Sequence, residues 1–135
     1  MLRGLTTVSF FADDVAAAAA WYAEVFGVEP YFRRDFDGAP AYVEFRVGDY
    51  QHEFGLVDSR FSPHPTGVVG GAVLYWAVDD VRAEFDRLIA LGAAAHDEPT
   101  ERGPGFTTAS VVDPFGNVLG VMFNQHYLDV LKGRE

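Results

Sequence analysis

The chain has 135 residues, of which 49% are hydrophobic and 15% aromatic, enough for one sizeable core without covalent staples. A net charge of -10 with scattered acidic residues argues against a nucleic-acid partner, and zero cysteines exclude disulfides, thiol nucleophiles and cysteine metal sites. No run approaches the roughly 20 apolar residues of a membrane span, and Met1 to Leu5 lack a signal-peptide pattern, so no membrane association and a cytoplasmic location are expected.

The first apolar run, Leu5 to Ala12, reads as a strand. A helix is predicted over 14–26: Ala18, Ala19, Tyr22, Val25 and Phe26 recur at helical spacing, Asp13 or Asp14 can cap it, and Gly27 suits a left-handed stop. Three strands follow, Tyr31 to Phe36, Ala41 to Val47 and Tyr50 to Val57, separated by turns at Asp37-Gly38 and Gly48-Asp49. Residues 59–71 hold Pro63, Pro65, Gly67, Gly70 and Gly71 and read as a connection. The order then repeats. Ala72 to Val78 is a strand, Val81, Phe85, Leu88 and Ile89 mark a helix capped by Asp79 or Asp80 and stopped at Gly92, and strands follow at Ala94 to Glu98, Thr107 to Val112 and Val118 to Phe123. A short tail helix is predicted through Tyr127, Val130 and Leu131.

The two halves echo each other about 65 residues apart, with Phe11-Ala12-Asp13-Asp14-Val15 returning as Ala77-Val78-Asp79-Asp80-Val81. Each half reads βαβββ, an α+β arrangement. The paired halves, the Trp21-Tyr22 pair before Val25-Phe26-Gly27, and the run Val111 to Val118 with its Asp113-Pro114-Phe115-Gly116-Asn117 turn resemble the vicinal oxygen chelate superfamily. That is the group of glyoxalase I, extradiol dioxygenases and bleomycin-resistance proteins. The resemblance covers roughly residues 4–124. It implies a single domain over 1–135, with modules at 4–58 and 72–124 and a tail at 125–135, forming a concave mixed-sheet cup with helices packed outside.

Metal enzymes of this superfamily place a His or Gln on the first strand and a Glu or similar ligand on the last strand of each half. Carried onto this chain, those positions are Thr7, Gly55, Val73 and Gly120, of which only a weak hydroxyl could touch a cation. No metal or other cofactor is therefore expected. A shifted register would put Glu53 at one ligand position. His52 is adjacent to it and must point to the opposite face, so one of the pair alone can enter the cup, and Glu53 is assigned there.

The implied cup lining is Thr7, Ser9, Phe11, Glu53, Gly55, Val73, Tyr75, Gly120 and Met122, apolar and aromatic walls with few polar groups, which suits a small organic guest. The glycines can make room for that guest, and Gly120→Leu is expected to block the floor while sparing the fold. His64, His96 and His126 are read as exposed or edge histidines, Ser9 and Ser110 as hydrogen-bonding liners, and Glu44 and Arg46 as a solvated strand face. The leading reading is a metal-free protein that sequesters a small hydrophobic or aromatic molecule, as a homodimer, with no catalytic residue assigned. The alternative is a metal-dependent lyase or dioxygenase-like enzyme using Glu53.

Overall fold

A computed structural model describes residues 1–134. The chain divides into two compact units, residues 1–67 and residues from 68 onward. Each unit is a four-stranded mixed sheet with a helix on one face.

In the first unit β1 (Thr7–Ala12) leads into α1 (Val15–Phe26), followed by β2 (Phe32–Phe36), β3 (Ala39–Val47) and β4 (His52–Asp58). The sheet order is β1-β4-β3-β2, with β1 parallel to β4 and the remaining pairs antiparallel. Asp14 caps α1, its carboxylate accepting from the Ala17 N–H at 3.0 Å, and Gly27 ends it at φ 69°, where a side chain would be strained. Alternation along the strands places Phe10, Phe45, Phe54 and Leu56 against Tyr22 and Phe26 of α1, an aromatic core. Tyr22, Phe45, Phe54 and Leu56 are fully buried.

The second unit repeats the plan with β5 (Leu74–Ala77), α2 (Val81–Ala90), β6 (Ala94–Gly103), β7 (Phe106–Val112) and β8 (Val118–Asn124), then α3 (Gln125–Lys132). Its order is β5-β8-β7-β6, again with the first and last strands parallel. Asp80 caps α2 through the Ala83 N–H at 3.0 Å, and Val81, Phe85 and Leu88 bury its apolar stripe near Ala109, Val111, Leu119 and Val121. Apart from Phe85 the buried core here is aliphatic, where that of the first unit is built around a cluster of aromatic rings.

Every predicted element is present, with boundaries shifted by a few residues. The larger departures have physical causes. β6 runs to Gly103 rather than Glu98, because its register shifts between Ala95 and Asp97 and again between Asp97 and Thr100 erase the alternation that would have shown it. The connection holds one turn of 3-10 helix, Ser59–Phe61, capped by the Asp58 carboxylate on the Arg60 N–H at 2.9 Å. Val73 lies just before β5 rather than on it.

The Asp113 to Asn117 turn is held by a buried carboxylate. Asp113 is 3% exposed, and its Oδ1 accepts from the N–H groups of Phe115 (2.9 Å) and Asn117 (2.8 Å), while Asn117 Nδ2 donates to Oδ2 at 3.1 Å. Gly116 completes the reversal at φ 93°. Aspartate, glycine and asparagine at these positions are thus required by backbone geometry, and this motif reports fold rather than chemistry.

Candidate functional site

Register partners across a sheet share a face, so the pairing Thr7 with Glu53, Ser9 with Gly55 and Phe11 with Val57 puts these six residues on the side opposite α1. Tyr42, Glu44 and Arg46 of β3 join them through their partners Val57, Gly55 and Glu53. His52 is exposed with its ring 5.6 Å from that of Tyr50, and Phe54 and Leu56 fill the core. The assignment of Glu53 and His52 to opposite faces therefore agrees with the structure.

This face carries a polar network that sequence reasoning set aside as solvated. The Tyr42 hydroxyl donates to Glu44 Oε1 at 2.5 Å, and Glu44 also shares a hydrogen bond with Glu53. Burial, then that bond and the Glu53 charge, push the Glu44 carboxyl above the ordinary carboxylate range, against a pull downward from Arg46. Burial chiefly, then the Glu53 charge, push the Tyr42 phenol up as well. The Tyr31 hydroxyl reaches Glu53 Oε1 at 3.5 Å, and Arg46 Nη2 stands 3.6 Å from the same oxygen. The Arg46 guanidinium lies 5.5 Å from the centroid of the Tyr31 ring. Tyr31, Tyr42, Glu44 and Arg46 were missing from the expected lining. The available signal was parity, since Tyr42, Glu44 and Arg46 alternate with the core residues Val43, Phe45 and Val47.

Gly55 does not leave space for a guest. A Cβ there would meet Tyr42 Oη at 2.9 Å and a ring carbon at 3.0 Å, so the tyrosine side chain already covers the glycine. His64, expected to stand apart in the connection, packs its ring edge-on to Phe11 with centroids 5.4 Å apart. A bend at Pro63 and His64 is steadied by Ser62, whose hydroxyl donates to the His64 carbonyl at 2.7 Å.

In the second unit Tyr75, Gly120 and Ser110 form one row across β5, β8 and β7, and Met122 and Thr108 the next, on the side opposite α2. Ser110 and Thr108 are buried. His96 Nδ1 lies 2.9 Å from Ser110 Oγ, so the fold joins a serine and a histidine 14 positions apart, a pairing that residue order alone does not reveal. Arg102 donates to Thr108 Oγ1 at 3.2 Å and pairs with Asp97 at 3.0 Å. With Ser110 only 3% exposed, its hydroxyl is a structural partner of His96 and not a presented nucleophile. His126 is exposed on α3.

Gly120 is more tightly confined than Gly55. A Cβ would meet Tyr75 Cδ1 at 2.6 Å and the Leu74 carbonyl oxygen at 2.7 Å. The expectation that leucine could replace it without harm to the fold is thereby corrected, because the obstacle includes backbone. Val73 and Tyr75 are 37% and 38% exposed, and Met122 is half-buried.

A profile for the Glyoxalase/Bleomycin resistance protein/Dioxygenase superfamily matches residues 4–121. The chain belongs to this superfamily. Among solved structures it is similar to a glyoxalase-related enzyme from Fulvimarina pelagi, at 21% identity and a TM-score of 0.72, covering 92% of this chain and 90% of that one. It is also similar to a lactoylglutathione lyase from Agrobacterium tumefaciens, at 26% identity and a TM-score of 0.64 over 88% of this chain and 92% of the other. TioX from Micromonospora sp. ML1 shares 19% identity at a TM-score of 0.67, with 90% and 99% covered. No curated protein matches the chain significantly.

The residues present do not fit a superfamily metal. The first unit offers Thr7 and a glycine covered by Tyr42, the second Val73 and a glycine covered by Tyr75. Glu53, the shifted-register candidate, faces the positive charge of Arg46. Among the described residues no group of three or more His, Cys, Asp or Glu side chains could hold a metal ion.

Proposed function

We propose that this superfamily member binds a small hydrophobic or aromatic molecule without a metal, on the sheet face opposite α1 or on that opposite α2, and that sequestration rather than turnover is its role. The observation that carries the reading is the donor set, with no imidazole or carboxylate at Thr7, Gly55, Val73 or Gly120. Phe11, Tyr42, Tyr75 and Met122 supply apolar and aromatic surface on those faces, and Glu53 and Ser9 supply sparse polar groups, the mix that organic-ligand sites use. A homodimer belongs to the same reading, and a monomeric mass by light scattering at micromolar concentration would remove it. Among the described residues no helix is long and apolar enough to cross a membrane.

Elemental analysis of purified protein tests the proposal first. The expected result is no stoichiometric Zn, Fe, Mn or Ni, and no change in Tm on chelation, since a metal bound to the native state would raise Tm by mass action. One transition metal per chain that is lost in Glu53→Ala would replace this reading with that of a metal-dependent lyase or dioxygenase-like enzyme. Thermal-shift screening of hydrophobic and aromatic compounds supplies the second test: Tyr75→Ala should weaken the stabilisers found with wild-type protein, and unchanged binding would place the guest elsewhere.

A further inference from the structure

Arg46 is held on three sides by long contacts. Its Nη2 is 3.6 Å from Glu53 Oε1, its Nη1 is 3.4 Å from the Gln51 carbonyl oxygen, and its guanidinium carbon is 5.5 Å from the Tyr31 ring centroid. Other arginines of the same unit are gripped more closely: Arg33 contacts Asp35 at 2.7 and 3.2 Å, and Arg60 contacts Asp58 at 3.1 Å. The exposures differ in a telling way. The Glu53 side chain is 16% exposed and that of Arg46 47%, so a recessed carboxylate is neutralised from its wet side by a mobile-stemmed cation. A carboxylate floor with an aromatic wall is a general receptor for cations, and here the chain's own guanidinium is seated in it.

We propose that Arg46 is a resident plug in a site for an organic cation, and that the ammonium of an aromatic amine takes its place between Glu53 and Tyr31. This rests on the small-molecule reading above and narrows it to a ligand class. A compact ammonium can approach Glu53 to about 2.8 Å, closer than Arg46 stands, while its ring lies against the Tyr42 side chain, which covers Gly55 on the same face. The second carboxyl on this face, Glu44, is engaged by the Tyr42 hydroxyl, which donates to its Oε1, so Glu53 is the acceptor that meets an incoming cation. Displaced, Arg46 moves into water at little cost, since an exposed pair of this length contributes little.

The test compares benzylamine with its neutral analogue benzyl alcohol by NMR titration of backbone amides, at about pH 8, where benzylamine is still largely cationic and ordinary carboxyls are ionised. Wild type is measured beside Arg46→Gln, Glu53→Gln and Tyr31→Leu. Removing the plug should tighten benzylamine about three- to tenfold and leave benzyl alcohol unchanged. Glu53→Gln should abolish the amine's advantage, and Tyr31→Leu should reduce it. Arg46→Met, which keeps the aliphatic stem, replaces Arg46→Gln if the latter lowers Tm. Unchanged or weaker benzylamine binding in the Arg46 variant, with benzyl alcohol still shifting the Thr7, Ser9 and Glu53 amides, would overturn the plug and leave the binding face standing. No shift of those amides by either probe in any variant would overturn both.

Discussion

Gly55 and Gly120 occupy matching places in the two units, each on the last strand and each under a tyrosine ring, yet they are glycines for different reasons. At Gly55 the obstruction is the far end of the Tyr42 side chain, at 2.9 Å from a would-be Cβ. At Gly120 it is the Leu74 carbonyl oxygen at 2.7 Å together with the Tyr75 ring, so the first and last strands of the second unit themselves leave no room. One constraint can rotate away and the other cannot. A glycine in a duplicated pattern therefore needs its neighbours before it can be read as vacant space.

Substitutions at the two sites should separate strongly. Gly120→Leu should give the largest loss, more than about 4 kcal/mol or failure to fold, with Gly120→Ala costing about 2 to 4 kcal/mol in chemical denaturation, because backbone must move. A Gly120→Ala protein as stable as wild type would erase the distinction. Gly55→Ala should cost only about 1 kcal/mol, since Tyr42 can give way. In the double variant Gly55→Ala/Tyr42→Phe, which removes the hydroxyl nearest the new methyl, the two costs should sum to less than the separate values by at least about 0.5 kcal/mol. Additive costs would show that Tyr42 is not what confines Gly55.

The smallest expected effect is a pH dependence peculiar to the first unit. Glu44, facing Glu53, Arg46 and Tyr42, has its folded pKa raised above the ordinary value, so the native chain binds more protons than the unfolded chain in the window just above the ordinary carboxylate range. Its contribution to stability is fully present below that window and is lost as pH rises through the raised pKa. Glu44→Gln should flatten this decline in urea titrations at successive pH values, and an unchanged slope would remove Glu44 as its source. Asp58 works in the opposite sense: hydrogen bonds from the Arg60 side chain and backbone lower its pKa, so its contribution is present above the ordinary value and lost as pH falls through the lowered one.

The parts of this molecule that were legible from sequence are those fixed by local rules. Aspartate caps at Asp14 and Asp80, the helix stop at Gly27 and the Asp113 turn each need only a few neighbouring residues, and each stands where expected. Parity along β4 assigned Glu53 and His52 to opposite faces for the same reason. What could not be read was lateral: which side chains of neighbouring strands lean on one another. Tyr42 over Gly55, Tyr75 over Gly120, His64 beside Phe11 and His96 on Ser110 all depend on inter-strand register or on a loop doubling back. Glu44 and Arg46 looked solvated because alternation identifies a second face without saying what gathers on it.

The strand order has a consequence for how the chain is made. In each unit the last strand to be synthesised is an inner one: β4 joins β1 to β3, and β8 joins β5 to β7. Until Asp58 has left the ribosome, β1 has no strand to pair with, and Phe10 and Tyr22 lack the Phe54 ring that their core is built around. A nascent chain stalled before β4 would hold a helix and a hairpin with their apolar faces exposed. One stalled after residue 67 would hold the complete strand set of a unit.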